Sequence, residues 1–329
     1  MKQTSVFQAL LAFLLFSVFT GSPVLAQTVT KRAQNAAEKA ATKKPVRVTV
    51  TKAAAKTQAV RPSSAAVVGL RGQSDELNLK SSAAMVVSQE TKDVLFEKNP
   101  GVALPIASIT KLMTAMVVLD ANLPLDEVIT INPEDVKIYN KSRLGLGTKL
   151  TRQEALLLAL MSSENRAAYT LARNYPGGLQ AFIPAMNAKA QDLGMHQSKF
   201  ADPTGLLSEN VSTVEDLTRM LNAAYAYELI REFSTWPDLT LMIQNRPQTF
   251  LNTNRLVRSG DMDIGLQKTG YISAAGKCLV MQARVNGHPF LLVFLDSVGT
   301  QSRFADAVRV KDWIEHYAPL EPKAIRRLM

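Results

Sequence analysis

The sequence predicts an α+β domain: an antiparallel sheet packed with helices, beside an all-helical subregion. Strand-like segments stand at both ends of the folded stretch, near residues 83–96 and 265–295. Between them the chain reads as successive helices, so the sheet must be completed by segments distant in sequence. A shift in composition near residue 80 separates this domain from what precedes it. The expected organisation is a secretory signal over 1–26, a basic Ala/Lys-rich flexible tether over 27–80, and one domain over 81–329.

The signal reading rests on Lys2, an apolar run from Val6 to Phe19 interrupted only by Gln8 and Ser17, the breakers Gly21-Ser22-Pro23, and the small residue Ala26 after Val24-Leu25. The tether is poor in aromatic and large aliphatic residues and cannot bury enough surface to fold alone, although Asn35 to Lys44 has some helical character. Ala83-Ala84-Met85-Val86-Val87 and Val94-Leu95-Phe96 flank the polar turn Gln89 to Asp93, a β-hairpin pattern. The run from Ser108 to Leu119 is apolar on nearly every face and reads as a buried helix. Val128 to Ile131 is a short strand. Thr151 with Glu154 three residues on forms a capping box, and the helix runs through Met161. Helices also fit Arg166 to Asn174, Leu179 to Leu193 and Val214 to Ala226. The period then changes to strands at Gly265 to Thr269, Lys277 to Val285 and Pro289 to Leu295, and a last helix covers Ser302 to Tyr317.

Composition and charge exclude several functions. The 329 residues carry a formal charge of +10, with 47% apolar and 20% charged residues, which is globular composition. Residues 27–80 hold eleven basic and three acidic residues, so the domain that follows is close to neutral. Nucleic-acid binding needs clustered cations on the domain itself, and no nucleic-acid partner is expected. The tether's charge suits a solvated, self-repelling linker and would also allow contact with anionic wall polymer or a membrane surface. A single cysteine, Cys278 in an apolar strand pattern, excludes a disulfide framework; His196, His288 and His316 are scattered and no HExxH occurs, so neither metal nor cofactor is expected.

Three short motifs carry chemistry. In Ser108-x-x-Lys111 the spacing puts both side chains on one helix face, a turn apart. A serine hydroxyl is a weak nucleophile and needs a base. Lysine serves when desolvation and the positive end of a helix leave it uncharged, and Leu112, Met113 and Met116 supply an apolar wall. Ser-x-Asn occurs twice, as Ser163-Glu164-Asn165 and Ser208-Glu209-Asn210. The first follows a helix end, where a turn can push both side chains into a cleft; the second sits in a Pro/Gly-punctuated loop, so the first is chosen. Lys268-Thr269-Gly270, followed by Tyr271, reads as the close of an edge strand whose free N–H groups can take a peptide in β-register, with Lys268 and Thr269 placed to clamp a carboxylate.

In this order the motifs resemble those of the penicillin-interacting serine hydrolases, and within them the low-molecular-mass D-alanyl-D-alanine peptidases. The surrounding text supports the resemblance: Leu104-Pro105-Ile106-Ala107-Ser108, Leu160-Met161-Ser162-Ser163-Glu164-Asn165, Phe200-Ala201-Asp202-Pro203-Thr204-Gly205 and Gln267-Lys268-Thr269-Gly270-Tyr271. It covers about Ser82 to Tyr317, and the closest likeness is to the murein D-alanyl-D-alanine endopeptidases. The resemblance implies a β-lactamase/transpeptidase-like fold. It implies Ser108 as nucleophile, Lys111 as base, Ser163 as proton relay, Asn165, Lys268, Thr269, Gly270 and Tyr271 in substrate binding, and the N–H groups of Ser108 and Tyr271 as an oxyanion hole. The partners it implies are peptidoglycan stem peptides, with β-lactams as covalent inhibitors, in the periplasm. The deacylating Glu-x-x-Leu-Asn run of class A β-lactamases is absent. Only Ala318 to Met329 follow the last helix, which favours an endopeptidase on D-Ala–diaminopimelate cross-links over a membrane-anchored D-alanyl-D-alanine carboxypeptidase or a non-hydrolytic wall-binding protein.

Overall fold

The computed structural model describes residues 62–138 and 142–317. The signal, the tether up to residue 61 and the segment from Ala318 to Met329 lie outside the described residues. The elements run α1 (Ser64–Val67), β1 (Ala83–Ser88), β2 (Val94–Lys98), β3 (Leu104–Pro105), a 3₁₀ turn (Ala107–Ile109), α2 (Thr110–Asp120), β4 (Val128–Thr130), α3 (Pro133–Ile138) and β5 (Lys149–Thr151). They continue as α4 (Arg152–Met161), α5 (Asn165–Arg173), α6 (Gly178–Asp192), β6 (Val211–Ser212), α7 (Val214–Ala224), α8 (Glu228–Thr235), β7 (Asp238–Ile243), β8 (Arg246–Leu251) and α9 (Arg255–Ser259). Last come β9 (Asp263–Ile272), β10 (Gly276–Val285), β11 (His288–Ser297) and α10 (Ser302–Tyr317).

The main sheet has five antiparallel strands in the order β2-β1-β11-β10-β9. The first hairpin joins the last through β1 and β11, with Ala84 opposite Phe294 and Val86 opposite Leu292. This is the long-range pairing the sequence pattern required, and it leaves β9 at an edge. Side chains alternate across a strand, so a sheet covered on both sides must be apolar on both. Met85, Val87, Val280, Leu291, Val293 and Leu295 pack with the helical region. Ala84, Val86, Leu279, Met281, Leu292 and Phe294 pack with Phe304, Ala307, Val310 and Ile314 of α10.

On the helical side α2 is buried along most of its length, from Thr110 to Val118, because neighbours cover it all round. The capping box forms as read: Glu154 N donates to Thr151 Oγ1 at 3.1 Å and Thr151 N to Glu154 Oε2 at 2.8 Å, fixing where α4 begins. Cys278 is a fully buried strand residue, its thiol pushed up to about 12 by burial.

The boundary expected at residue 80 falls too late. Ser63 caps α1 through Ala66 N (3.3 Å), Ser64 N donates to Ala274 O (2.9 Å), and the Arg71 guanidinium pairs with Asp296. Lys98 Nζ donates to Asp75 at 2.7 Å, and the amides of Lys80 and Ser81 donate to the buried Asp306 carboxylate. Leu77 and Leu79 enter the core beneath α10. The segment reads as tether because its few apolar residues have no period and its anchors are carboxylates some 225 positions away. Leu79→Ala is expected to cost about 2–4 kcal/mol in urea unfolding, as for a core leucine, whereas an unpacked tether would give no change.

Candidate active site

The position of Ser108 is built by strain and close approach. Ala107, in the 3₁₀ turn, takes a left-handed φ of +48°, a costly conformation for a residue with a Cβ. Two glycines hold it there. A Cβ on Gly205 (φ +83°) would lie 1.9 Å from Ala107 O, and one on Gly270 would lie 2.8 Å from Ile106 O and 3.3 Å from Ser108 N. The turn Asp202 to Gly205 and the edge strand β9 therefore press backbone against backbone on either side of Ser108.

Lys111 follows on α2, with 1% of its surface exposed. Its Nζ donates to Ser108 Oγ (2.9 Å), Asn165 Oδ1 (2.7 Å) and Thr204 O (2.7 Å). None of these partners is a carboxylate. Burial lowers its pKa to about 7, with Asp202 and Glu164 at longer range opposing the shift. The amine is thus in part uncharged near neutral pH and hydrogen-bonded to the hydroxyl it would deprotonate.

Ser163 follows the end of α4 with φ +61°, and Asn165 opens α5. That backward step between two helices brings the Ser163 hydroxyl to Lys268, whose Nζ donates to it at 2.9 Å and also to Thr269 O at 3.1 Å. Lys268 is fully buried, and burial, reinforced by Lys111 and Arg303, lowers its pKa well below the ordinary lysine value. Thr269 Oγ1 lies 2.7 Å from Thr253 Oγ1. Tyr271 is half-exposed at the rim, with Lys277 Nζ 3.6 Å from its ring centre.

Ser108, Ser163, Asn165, Thr269, Gly270 and Tyr271 line one cleft of about 330 Å³, so the three motifs meet, with Lys111 and Lys268 bonded to its serines from behind. The second Ser-x-Asn is elsewhere in role. Ser208 is exposed and bonds Glu209, while the buried Asn210 accepts from Ala201 N (2.5 Å) and Asp202 N (3.1 Å) and donates to Asp202 O (3.1 Å). Asp202 in turn accepts from the amides of Thr204 and Gly205 at 3.0 Å each. Asn210 thus supports the turn that presents Thr204 O to Lys111.

Sequence reasoning missed five lining residues: Arg143, Ser162, Glu164, Thr253 and Arg303. Arg303, at the start of α10, donates through Nη1 to Gly270 O (2.9 Å) and Cys278 O (3.3 Å), and its buried Nε has no acceptor among the described residues. It brings a cation to the strand that carries Gly270, and a lone arginine in an amphipathic helix gives no sequence signal for that.

A buried lysine bonded to a serine hydroxyl, with a second serine–lysine pair across the same cleft, is the arrangement of a serine hydrolase whose base is an amine. A family model described as D-alanyl-D-alanine carboxypeptidase matches residues 70–299. The D-alanyl-D-alanine endopeptidase of Pseudomonas aeruginosa is 49% identical over 241 residues, 72% of this chain and 78% of that protein. The D-alanyl-D-alanine endopeptidase of Escherichia coli K12 is 49% identical over 243 residues, with the same coverage. Among solved structures, penicillin-binding protein D2 of Listeria monocytogenes in its ampicillin-bound form aligns with a TM-score of 0.62 and 28% identity, covering 73% of this chain and 98% of that one. The chain belongs to the D-alanyl-D-alanine carboxypeptidase family of serine peptidases.

Gly205→Ala is expected to slow acylation by a fluorescent penicillin about 100-fold, because Ala107 must move and carries Ser108 with it. Ser208→Ala is expected to stay within about twofold of the parent in the same assay, as for an exposed substitution.

Proposed function

We propose that the protein is a serine DD-peptidase that hydrolyses D-alanyl cross-links in peptidoglycan, acting as a D-Ala–diaminopimelate endopeptidase through a Ser108 acyl-enzyme. The observation that carries this is the 2.9 Å contact between Ser108 Oγ and an amine whose pKa burial has brought to about 7. The relatives at 49% identity carry the endopeptidase name, which supports the choice of bond.

The peptide lies along β9, the free edge, where strand addition supplies main-chain hydrogen bonds. Neutral Lys111 takes the Ser108 proton as Oγ attacks the D-Ala carbonyl carbon. The developing oxyanion faces the N–H groups of Ser108 and Tyr271, each worth about 3 kcal/mol in such a site. The C–N bond then breaks and the departing amine receives a proton through Ser163, whose oxygen is held by Lys268. Asn165 accepts from Lys111 through Oδ1, which leaves its amide N–H groups for the substrate carbonyl. The carboxylate on the carbon beyond the scissile amide is held by Thr269 and Arg303, which line the cleft, and by Lys268 behind Thr269. Water hydrolyses the ester and restores Ser108. A β-lactam acylates the same hydroxyl, but its leaving group stays tethered, so its ester persists.

The site lies in the periplasm in this reading, with residues 1–26 directing export. No helix among the described residues is long and apolar enough to cross a membrane.

Purified muropeptides test the reaction. Cross-linked dimer is expected to give monomers, followed by mass spectrometry, and loss of only a terminal D-Ala from a pentapeptide would make the enzyme a carboxypeptidase instead. Ser108→Ala is expected to abolish cleavage and penicillin labelling together, and Ser163→Ala to lower dimer cleavage about 100-fold. Because the neutral amine is the reactive form, acylation is expected to rise with pH through about 7 and then level off, dropping about tenfold per unit on the acid side. A rate independent of pH between 5 and 9 would remove Lys111 as the base.

A further inference from the structure

The cleft holds two charged groups that the proposed chemistry does not use. Arg143 and Glu164 both line it, yet among the described residues no ion pair joins either to a partner. Glu164 immediately precedes α5 and Arg143 precedes β5, in the helical part of the chain, whereas Tyr271 is on β9 of the sheet and Arg303 is on α10, which packs against the sheet.

Their positions are built. Ser142 Oγ donates to Glu164 Oε2 at 2.6 Å and accepts from Leu144 N at 3.0 Å. Arg166 Nη1 donates to Leu144 O at 2.7 Å, and Leu144 is itself core. Arg143 lies between these two anchored residues. Its guanidinium carbon stands 4.6 Å from the centre of the buried Phe250 ring and it donates to Thr249 O, so the hairpin β7–β8 holds the side chain at the mouth of the cleft. Glu164 is 8% exposed, its carboxylate accepts from Ser142 Oγ, and it acts on Lys111 only at longer range. A fixed exposed cation next in sequence to the residue that holds a sequestered anion matches a ligand bearing both charges on one carbon.

We infer that Arg143 and Glu164 form a subsite for the zwitterionic side-chain end of the acyl-donor stem peptide, the free carboxylate meeting Arg143 and the free ammonium meeting Glu164. The inference rests on the endopeptidase reading above. In a D-Ala–diaminopimelate cross-link the carboxylate beyond the scissile bond belongs to the leaving group and faces Thr269 and Arg303. The diamino acid that precedes the D-Ala on the donor enters its chain through one centre and keeps an amine and a carboxylate together on the other. The motif side chains already given roles leave that pair without a partner, and Arg143 and Glu164 supply one of each sign. A carboxypeptidase substrate and an endopeptidase substrate both carry this group, so the subsite selects the stem and not the leaving group.

Three synthetic dimers test it: one with the donor zwitterion free, one with its amine acetylated, one with its carboxylate amidated. The parent enzyme is expected to lose about tenfold or more in kcat/KM on either modification, the scale of one charge-assisted contact. Arg143→Gln should erase the penalty for amidation and keep that for acetylation, and Glu164→Gln the reverse. Each variant is compared with itself across substrates, so a loss of folded protein cancels. Equal cleavage of all three dimers by the parent overturns the subsite while leaving the endopeptidase reading intact, whereas no cleavage of any dimer removes that reading itself. If Glu164→Gln moves the pH profile equally on all three dimers without changing their ratios, Glu164 only tunes Lys111 and the subsite is overturned.

Discussion

The structure depends on keeping one amine dry. Lys111 is buried among oxygen acceptors, and none of its direct partners is an anion. An ammonium there would be expensive, because burial removes water that three neutral hydrogen bonds replace only in part. The conflict lowers the pKa to about 7, so the amine is in part uncharged near neutral pH, which is what a general base requires. Every segment that closes over Lys111 serves this end: α2 carries it, α5 brings Asn165, and the turn Asp202 to Gly205 brings Thr204. Asp202 and Glu164 stand far enough away to temper the shift without forming a pair. A carboxylate in direct contact would hold the amine charged and stop the chemistry.

The same cleft contains a second lysine under the same pressure, and the two repel each other's charge. Lys268 is lowered by burial first and by Lys111 next. Two ammonium groups in so small a space cannot both be stable, so an anionic substrate needs a cation that does not titrate. In the proposed reaction Arg303 is that cation, anchored on Gly270 O and Cys278 O with its buried Nε lacking an acceptor among the described residues; burial lowers its pKa, but from the high arginine value. In that reading Lys111 takes the proton because its charge can be lost, and Arg303 joins Lys268 and Thr269 at the carboxylate because its charge persists.

How much of this was legible depended on whether the signal was local. The capping box at Thr151, the hairpin of β1 and β2, the three C-terminal strands and the buried run of α2 each carry their pattern within a few residues, and each forms where the pattern puts it. The motif residues were readable because a spacing of three on a helix brings Ser108 to Lys111 whatever surrounds it. Choosing Ser163 over Ser208 needed only the difference between a helix end and a loop, and the cleft contains the first. What failed was long-range and polar. Residues 62–80 are held by Asp296, Asp306 and Lys98, which no window on that segment contains. The hairpin β7–β8 alternates exposed and half-buried residues around a Gln244-Asn245 turn in which both have positive φ, a weak pattern beside the strands that follow. Arg303 and Arg143 are single arginines whose meaning exists only after folding.

That difference bears on how one motif set serves several cleavages. The acylation apparatus reads a D-residue carbonyl, an edge strand and a carboxylate one bond further on, and these are common to a terminal D-Ala and to a D-Ala–diaminopimelate bond. Selectivity must therefore come from walls the motifs do not encode. Here one wall is α10 through Arg303, and the other is the segment from Ser142 to Leu144 braced by Arg166 and by the hairpin that carries Phe250. The segment from Ser142 to Leu144 is attached through single side-chain contacts, whereas Arg303 bonds Gly270 O directly, so the first can change with less disturbance to the glycines that clamp Ala107 and Ser108. An acylation centre fixed by close backbone contact and a rim fixed by side chains gives a fold in which the stem peptide accepted can diverge while the way the bond is cleaved stays the same.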